Sequence, residues 1–157
     1  PGDEVKIYRR SDLSELKDIY TVESTDDDID NKTVKVKFKE ALPPLRPNQF
    51  VFENITYNPE LTISGCTFNA IPTRAILCTT DRPSKIFDNK FKNINMPDIY
   101  ISCDCNHWYE SGPCRNLEIF NNIFSKKDSV KIETISVNKP VKDVHRNIKI
   151  YDNKIGE

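Results

Sequence analysis

Four short segments of this chain can be laid on one another without a gap: LTISGCTF from Leu61, SKIFDNKF from Ser84, LEIFNNIF from Leu117 and IKIYDNKI from Ile148. In that alignment Ile63, Ile86, Ile119 and Ile150 share one position. Cys66, Asn89, Asn122 and Asn153 share a second, and Phe68, Phe91, Phe124 and Ile155 a third. Thirteen residues after each of the first three isoleucines another recurs, at Ile76, Ile99 and Ile132. The repeats themselves are spaced by 23, 33 and 31 residues. A fixed offset inside the unit, with a variable length between units, describes a solenoid whose coils stack while insertions leave at a corner. Each unit carries two short β-prone stretches separated by a turn. The predicted class is therefore all-β, and the predicted form a right-handed parallel β-helix with one rung for each of the four repeats. Isoleucines and phenylalanines fill the interior columns in this reading. The asparagines stack at one turn and hydrogen-bond along the axis through their side-chain amides. An antiparallel sandwich with similar strand lengths explains neither the thirteen-residue offset nor the asparagine column.

Residues 1–45 have a different character and are expected to form a small β-rich segment of their own, with the rungs filling 46–157. Three β-prone runs stand in the first part, Val5 to Tyr8, Ile19 to Glu23 and Thr33 to Phe38. The last alternates Val34, Val36 and Phe38 against Lys35, Lys37 and Lys39, the period of a half-buried strand. STDDDIDNKT between the second and third runs reads as an acidic loop, and ALPPLRPNQ as an extended connection. Ser11 is a candidate N-cap for one helical turn reaching Lys17.

Composition narrows the function. A net charge of -1 gives no electrostatic footprint for nucleic acid, and no apolar run is long enough for a membrane-spanning helix, so neither partner is expected. The cysteines, Cys66, Cys78, Cys103, Cys105 and Cys114, are an odd number without the spacing of a disulfide framework. Cys103, Cys105, His107 and Cys114 lack the usual Cys-x-x-Cys spacing, and no metal site is expected of them. The chain starts PGDEVKIYRR, with neither an initiator Met nor an apolar leader, and reads as a piece of a longer protein.

The rung register also places acids. Asp81 follows Ile63 by the same 18 residues that separate Asp104 from Ile86. On adjacent coils, strands stack about 4.8 Å apart, so the two carboxylates are expected side by side at the end of a strand. Their repulsion would separate their pKa values, the requirement for an acid and a base in glycoside hydrolysis. The alternative is two solvated turn aspartates. After Asp104 comes CNHWYESGPC, an insertion carrying the chain's single tryptophan, Trp108, with Tyr109 and Glu110. Aromatic faces beside carboxylates suit sugar rings; the alternative has Trp108 capping the core at the corner. Arg74, just before the strand that leads to Asp81, could neutralise or orient the same acids, or be an ordinary rim arginine.

TRAILCTTDRPSKIFDNKF and IYISCDCNHWYESGPCRNLEIFNNIF resemble the central β-helix of glycoside hydrolase family 110, the α-1,3-galactosidases, and of related bacterial right-handed parallel β-helix proteins. Residues 1–45 are similar, more weakly, to the small β-barrel-like domain of that family. The resemblance implies a secreted, periplasmic or cell-surface carbohydrate-active enzyme that removes terminal α-linked galactose with inversion, using aspartates on the β-helix face and no cofactor. Carried over residue by residue, Asp104 and Asp81 match the catalytic positions, and Glu110, Trp108, Arg74 and Tyr109 the sugar-binding ones. Where the family often has an acid directly before the Asp104 position, this chain has Cys103. The competing expectation is a non-catalytic surface β-helix that binds glycans or proteins.

Overall fold

The computed structural model describes residues 1–109, 112–135 and 143–156. The chain divides into two compact units, Pro1–Asn58 and Pro59–Glu157.

In the first unit β1 (Glu4–Arg9), β2 (Tyr20–Asp28), β3 (Thr33–Phe38) and β4 (Phe50–Asn54) form one antiparallel sheet in the order β3-β2-β1-β4. Because β4 pairs along the whole of β1, residues 50–54 belong here and not with the coils, where a boundary at 45 had put them. The acidic run is also strand rather than loop: Ser24 to Asp28 continue β2 and pair with Lys37 to Thr33. The turn that remains is short, with Asp28 accepting from the backbone and side chain of Asn31 and Lys32 at φ 52°. No helix forms after Ser11. Asp12 accepts from both the N–H and the hydroxyl of Ser14, and the chain returns to bridge Tyr8 with Glu15. Val34, Val36 and Phe38 do share a face, as their alternation requires. They line an open groove of about 590 Å³ with Val5, Val22 and Phe52.

The second unit is built by one repeated rule. Its strands are β5 (Thr62–Ser64), β6 (Thr67–Ile71), β7 (Ile76–Cys78), β8 (Ser84–Phe87), β9 (Lys90–Ile94), β10 (Ile99–Asp104), β11 (Arg115–Phe120), β12 (Ile123–Phe124), β13 (Val130–Ile135), β14 (Arg146–Tyr151) and β15 (Lys154–Ile155). Each pairs in parallel with the strand three places on, which gives three parallel sheets: β5-β8-β11-β14, β6-β9-β12-β15 and β7-β10-β13. This is the pattern of coils laid one on the next, compatible with the β-helix read from the repeat.

The register joins Ile63 to Ile86 and Ile119 to Ile150 through Ile86↔Ile119, and Phe68 to Phe91. Ile86, Ile99, Ile101, Leu117 and Ile119 are fully buried, with Phe91 and Phe124 beside them. Phe91 stacks on Phe68 and Phe124 at 5.0 and 5.1 Å between ring centroids. A second aromatic column, Phe87, Phe120 and Tyr151, stacks at 5.0 and 5.1 Å on the other face of the first sheet. One expected column is displaced. Ile99 pairs with Ile76 and Val130, while Ile132 pairs with Ile101, because β12 and the turn after it are shorter than β9 and its turn.

The asparagine column is a hydrogen-bonded ladder. Asn89 Oδ1 accepts from Cys66 N–H at 3.0 Å, Asn122 Oδ1 from Asn89 N–H at 3.1 Å, and Asn153 Oδ1 from Asn122 N–H at 2.9 Å. The amides also donate upward, Asn89 Nδ2 to Asn122 Oδ1 and Asn122 Nδ2 to Asn153 Oδ1, both at 3.0 Å. Each Nδ2 donates in addition to a carbonyl of the coil before it, that of Ile63, Ile86 or Ile119. The turn is possible because the residue before each rung's ladder position adopts the left-handed conformation: Gly65, Asp88, Asn121 and Asp152, with φ between 52° and 66°. Glycine, asparagine and aspartate tolerate that region best.

Asn122 sits in the middle of the ladder and is fully buried. Asn122→Ala takes the acceptor from the Asn89 N–H and the amide donor from the Ile86 carbonyl, and is expected to destabilise the chain by about 2 kcal/mol or more. Urea denaturation followed by circular dichroism checks this. Asn122→Asp, which keeps the acceptor and loses the donors, should also be destabilised.

Candidate active site

The third sheet has two faces. Strand alternation sends Ile76, Cys78, Ile99 and Ile101 into the core. It sends Tyr100, Ser102 and Asp104 of β10 the other way, with Lys131 and Glu133 of β13 beside them, since Tyr100 pairs with Lys131 and Ser102 with Glu133.

Asp104 ends β10 and is 2% exposed. Its carboxylate is turned onto the loop that follows: Oδ1 accepts the N–H groups of Asn106 and His107 at 2.7 and 2.8 Å, and Oδ2 that of Trp108 at 3.3 Å. Burial raises its carboxyl, but these backbone donors, with the charge of His107, outweigh that and bring it below the ordinary 3.8. Asp104 is therefore an ionised, fixed carboxylate. Its loop projects Trp108 and Tyr109 into solvent, 79% and 58% exposed, with Tyr109 in the left-handed region at φ 54°. Trp108 does not cap the core. Glu110 lies outside the described residues.

Asp81 is half-buried in the corner between β7 and β8, beyond the last paired residues of β7. The preceding carbonyl, of Thr80, accepts the Arg115 N–H at 3.1 Å, and the Asp81 charge reaches the Cys114 thiol. The pairing of β7 with β10 ends at Cys78↔Ile101, three residues before Asp81, and does not reach Asp81 and Asp104. Arg74 stands before β7 with its guanidinium 5.8 Å from the centre of the Tyr100 ring.

Three residues that the repeat does not single out complete this face. The Tyr100 hydroxyl donates to Glu133 Oε2, which also pairs with Lys131 Nζ at 2.9 Å. The Tyr100 hydrogen bond and then Lys131 hold the Glu133 carboxyl below its usual 4.5. Burial and then Glu133 push the Tyr100 hydroxyl up.

Beneath the face lies a buried polar knot. His145 Nδ1 accepts the Cys114 N–H at 3.0 Å and its Nε2 donates to the Glu133 carbonyl at 3.0 Å, an arrangement that requires the neutral ring with the proton on Nε2. Cys103 Sγ lies 3.7 Å from the same Nε2, and Cys78 and Cys114 sulfurs are 3.8 Å apart. The Cys105 thiol donates to the Ile135 carbonyl. Among the described residues no three His, Cys, Asp or Glu side chains stand where they could hold a metal.

Comparison with known proteins gives the relationship. Over 135 residues, 82% of this chain, it is 43% identical to "Alpha-1,3-galactosidase A" of Peterkaempfera griseoplana. Over 164 aligned positions, 98% of the chain, it is 35% identical to the protein of that name from Streptomyces avermitilis. The Bacteroides thetaiotaomicron protein of that name matches at 38% over 69% of the chain. The chain is thus related, over most of its length, to the α-1,3-galactosidases of glycoside hydrolase family 110. It spans 19%, 26% and 19% of the length of these three relatives. No family model matches it.

Burial lowers the His145 pKa from 6.5. A group held neutral in the fold adds stability that is complete above its unfolded value and lost as the pH falls below it toward the lowered one. The melting temperature is expected to fall as the pH drops below about 6.5. His145→Gln, which cannot take up a proton, should flatten that part of the curve. A curve of unchanged slope would remove His145 as its cause.

Proposed function

We propose that this chain is part of a secreted, periplasmic or cell-surface protein with a right-handed β-helix that hydrolyses terminal α-linked galactose with inversion. The observation that carries the reading is the relationship to proteins named α-1,3-galactosidase, joined to an ionised carboxylate fixed at the end of β10 beside two exposed aromatic side chains. Asp104 and Asp81 are the reacting pair. The lowered pKa of Asp104 suits the general base, which takes a proton from the attacking water. Asp81 is the general acid and protonates the departing glycosidic oxygen, so the aglycone leaves as a neutral alcohol and the anomeric carbon receives hydroxide from the opposite face. Inversion wants roughly 6.5 to 9.5 Å between the two carboxyl groups, enough for one water. This mechanism uses neither a metal nor an organic cofactor. Trp108 and Tyr109 stack on the apolar face of the sugar, with Glu110 and Arg74 as hydrogen-bonding partners of its hydroxyls.

Two measurements on the full-length protein test the reading. Asp104→Asn should lower turnover of a terminal α-1,3-galactoside by about 10²- to 10⁴-fold, with circular dichroism unchanged; wild-type turnover would defeat the assignment. Proton NMR of the nascent product should show β-galactose first. Early α-galactose would mean retention.

A further inference from the structure

Among the described residues, Glu133 has one oxygen used and one open. Oε2 takes both the Tyr100 hydroxyl and the Lys131 ammonium. Oε1 has no protein partner among the described residues, and the side chain is 37% exposed. Arg74 stands by the same ring as Lys131, its guanidinium 5.8 Å from the ring centre, and makes no ion pair among the described residues. An acceptor held by two partners and a guanidinium with no ion pair among the described residues thus stand by one aromatic ring of the third sheet. Asp104 lies on the outward face of that sheet, one strand over and two residues on from Glu133, about 8 Å away along the backbone from strand spacing and rise. That span matches one sugar ring with its hydroxyls.

We infer that Glu133 and Arg74 form a hydroxyl-binding subsite beside Asp104, Glu133 Oε1 accepting from one ring hydroxyl and the Arg74 guanidinium donating to another. The inference rests on the proposed galactoside reading and adds Glu133 to it as a substrate-binding residue, with Tyr100 and Lys131 as the groups that position it. A charged acceptor whose second oxygen is already held loses little rotamer freedom when a ligand arrives, so its hydrogen bond is a strong one. It discriminates by hydroxyl: a ligand lacking the partner hydroxyl leaves a carboxylate oxygen unpaired.

The test is a double-mutant cycle on the full-length protein, with galactose and its monodeoxy analogues as ligands in calorimetry. Wild type is expected to bind one monodeoxy analogue at least tenfold more weakly than galactose. Glu133→Gln should weaken galactose by a similar factor and bind that analogue no worse than wild type does. Arg74→Gln, outside the strands, should show the same coupling to a different hydroxyl. Equal weakening of every ligand by Glu133→Gln means a merely structural role and overturns the inference. So does unchanged affinity for galactose, while hydrolysis of the galactoside by the wild type would leave the proposed function standing. A wild type that neither binds galactose nor cleaves a galactoside overturns both.

Discussion

Parallel stacking in one register is the constraint on which the second unit depends, and the asparagine ladder is the interaction that enforces it. A parallel sheet can slip by two residues and still keep its apolar face inward. The ladder removes that freedom. Each asparagine takes the backbone N–H of the coil before it and gives its own amide to a carbonyl there, so a slipped coil would leave several buried polar groups unpaired at once. The left-handed residue before each of these positions fixes where the turn falls. With that corner set, the stacked phenylalanines and isoleucines follow from the same offsets.

The face proposed to carry the chemistry is a consequence of this order. β10 leaves the core alternation with Tyr100, Ser102 and Asp104 outward, and β13 brings Lys131 and Glu133 to the same side only because its register is held. Cys103, Cys105, Cys114 and His145 pack underneath, where His145 ties the start of β11 to β13. The loop after Asp104 takes that buried carboxylate for its own backbone N–H groups, so one side chain shapes the aromatic projection.

The repeat was legible because it is written in residues whose roles are narrow: buried isoleucine, turn asparagine, stacked phenylalanine. The outer aromatic column of Phe87, Phe120 and Tyr151 stands in the same aligned segments but was not read from them. Ile132 misled because residue counting cannot see that β12 is a shorter strand than β9, which brings β13 in two residues early. The boundary at 45 misled for a related reason: the proline-rich stretch looks like a linker, yet β4 beyond it pairs with β1. Trp108 is exposed, which sets aside the reading that had it cap the core. Glu133 and His145 were not legible. A lone glutamate on an alternating strand and a lone histidine in a loop have no pattern of their own, and they acquire partners only when coils stack.

A crystal structure of the protein with galactose bound tests the central claim most directly. The sugar should lie on the outward face of the third sheet, within hydrogen-bonding reach of Asp104 and against Trp108 or Tyr109. A sugar seated on another face, with no contact to any of these residues, would contradict the account.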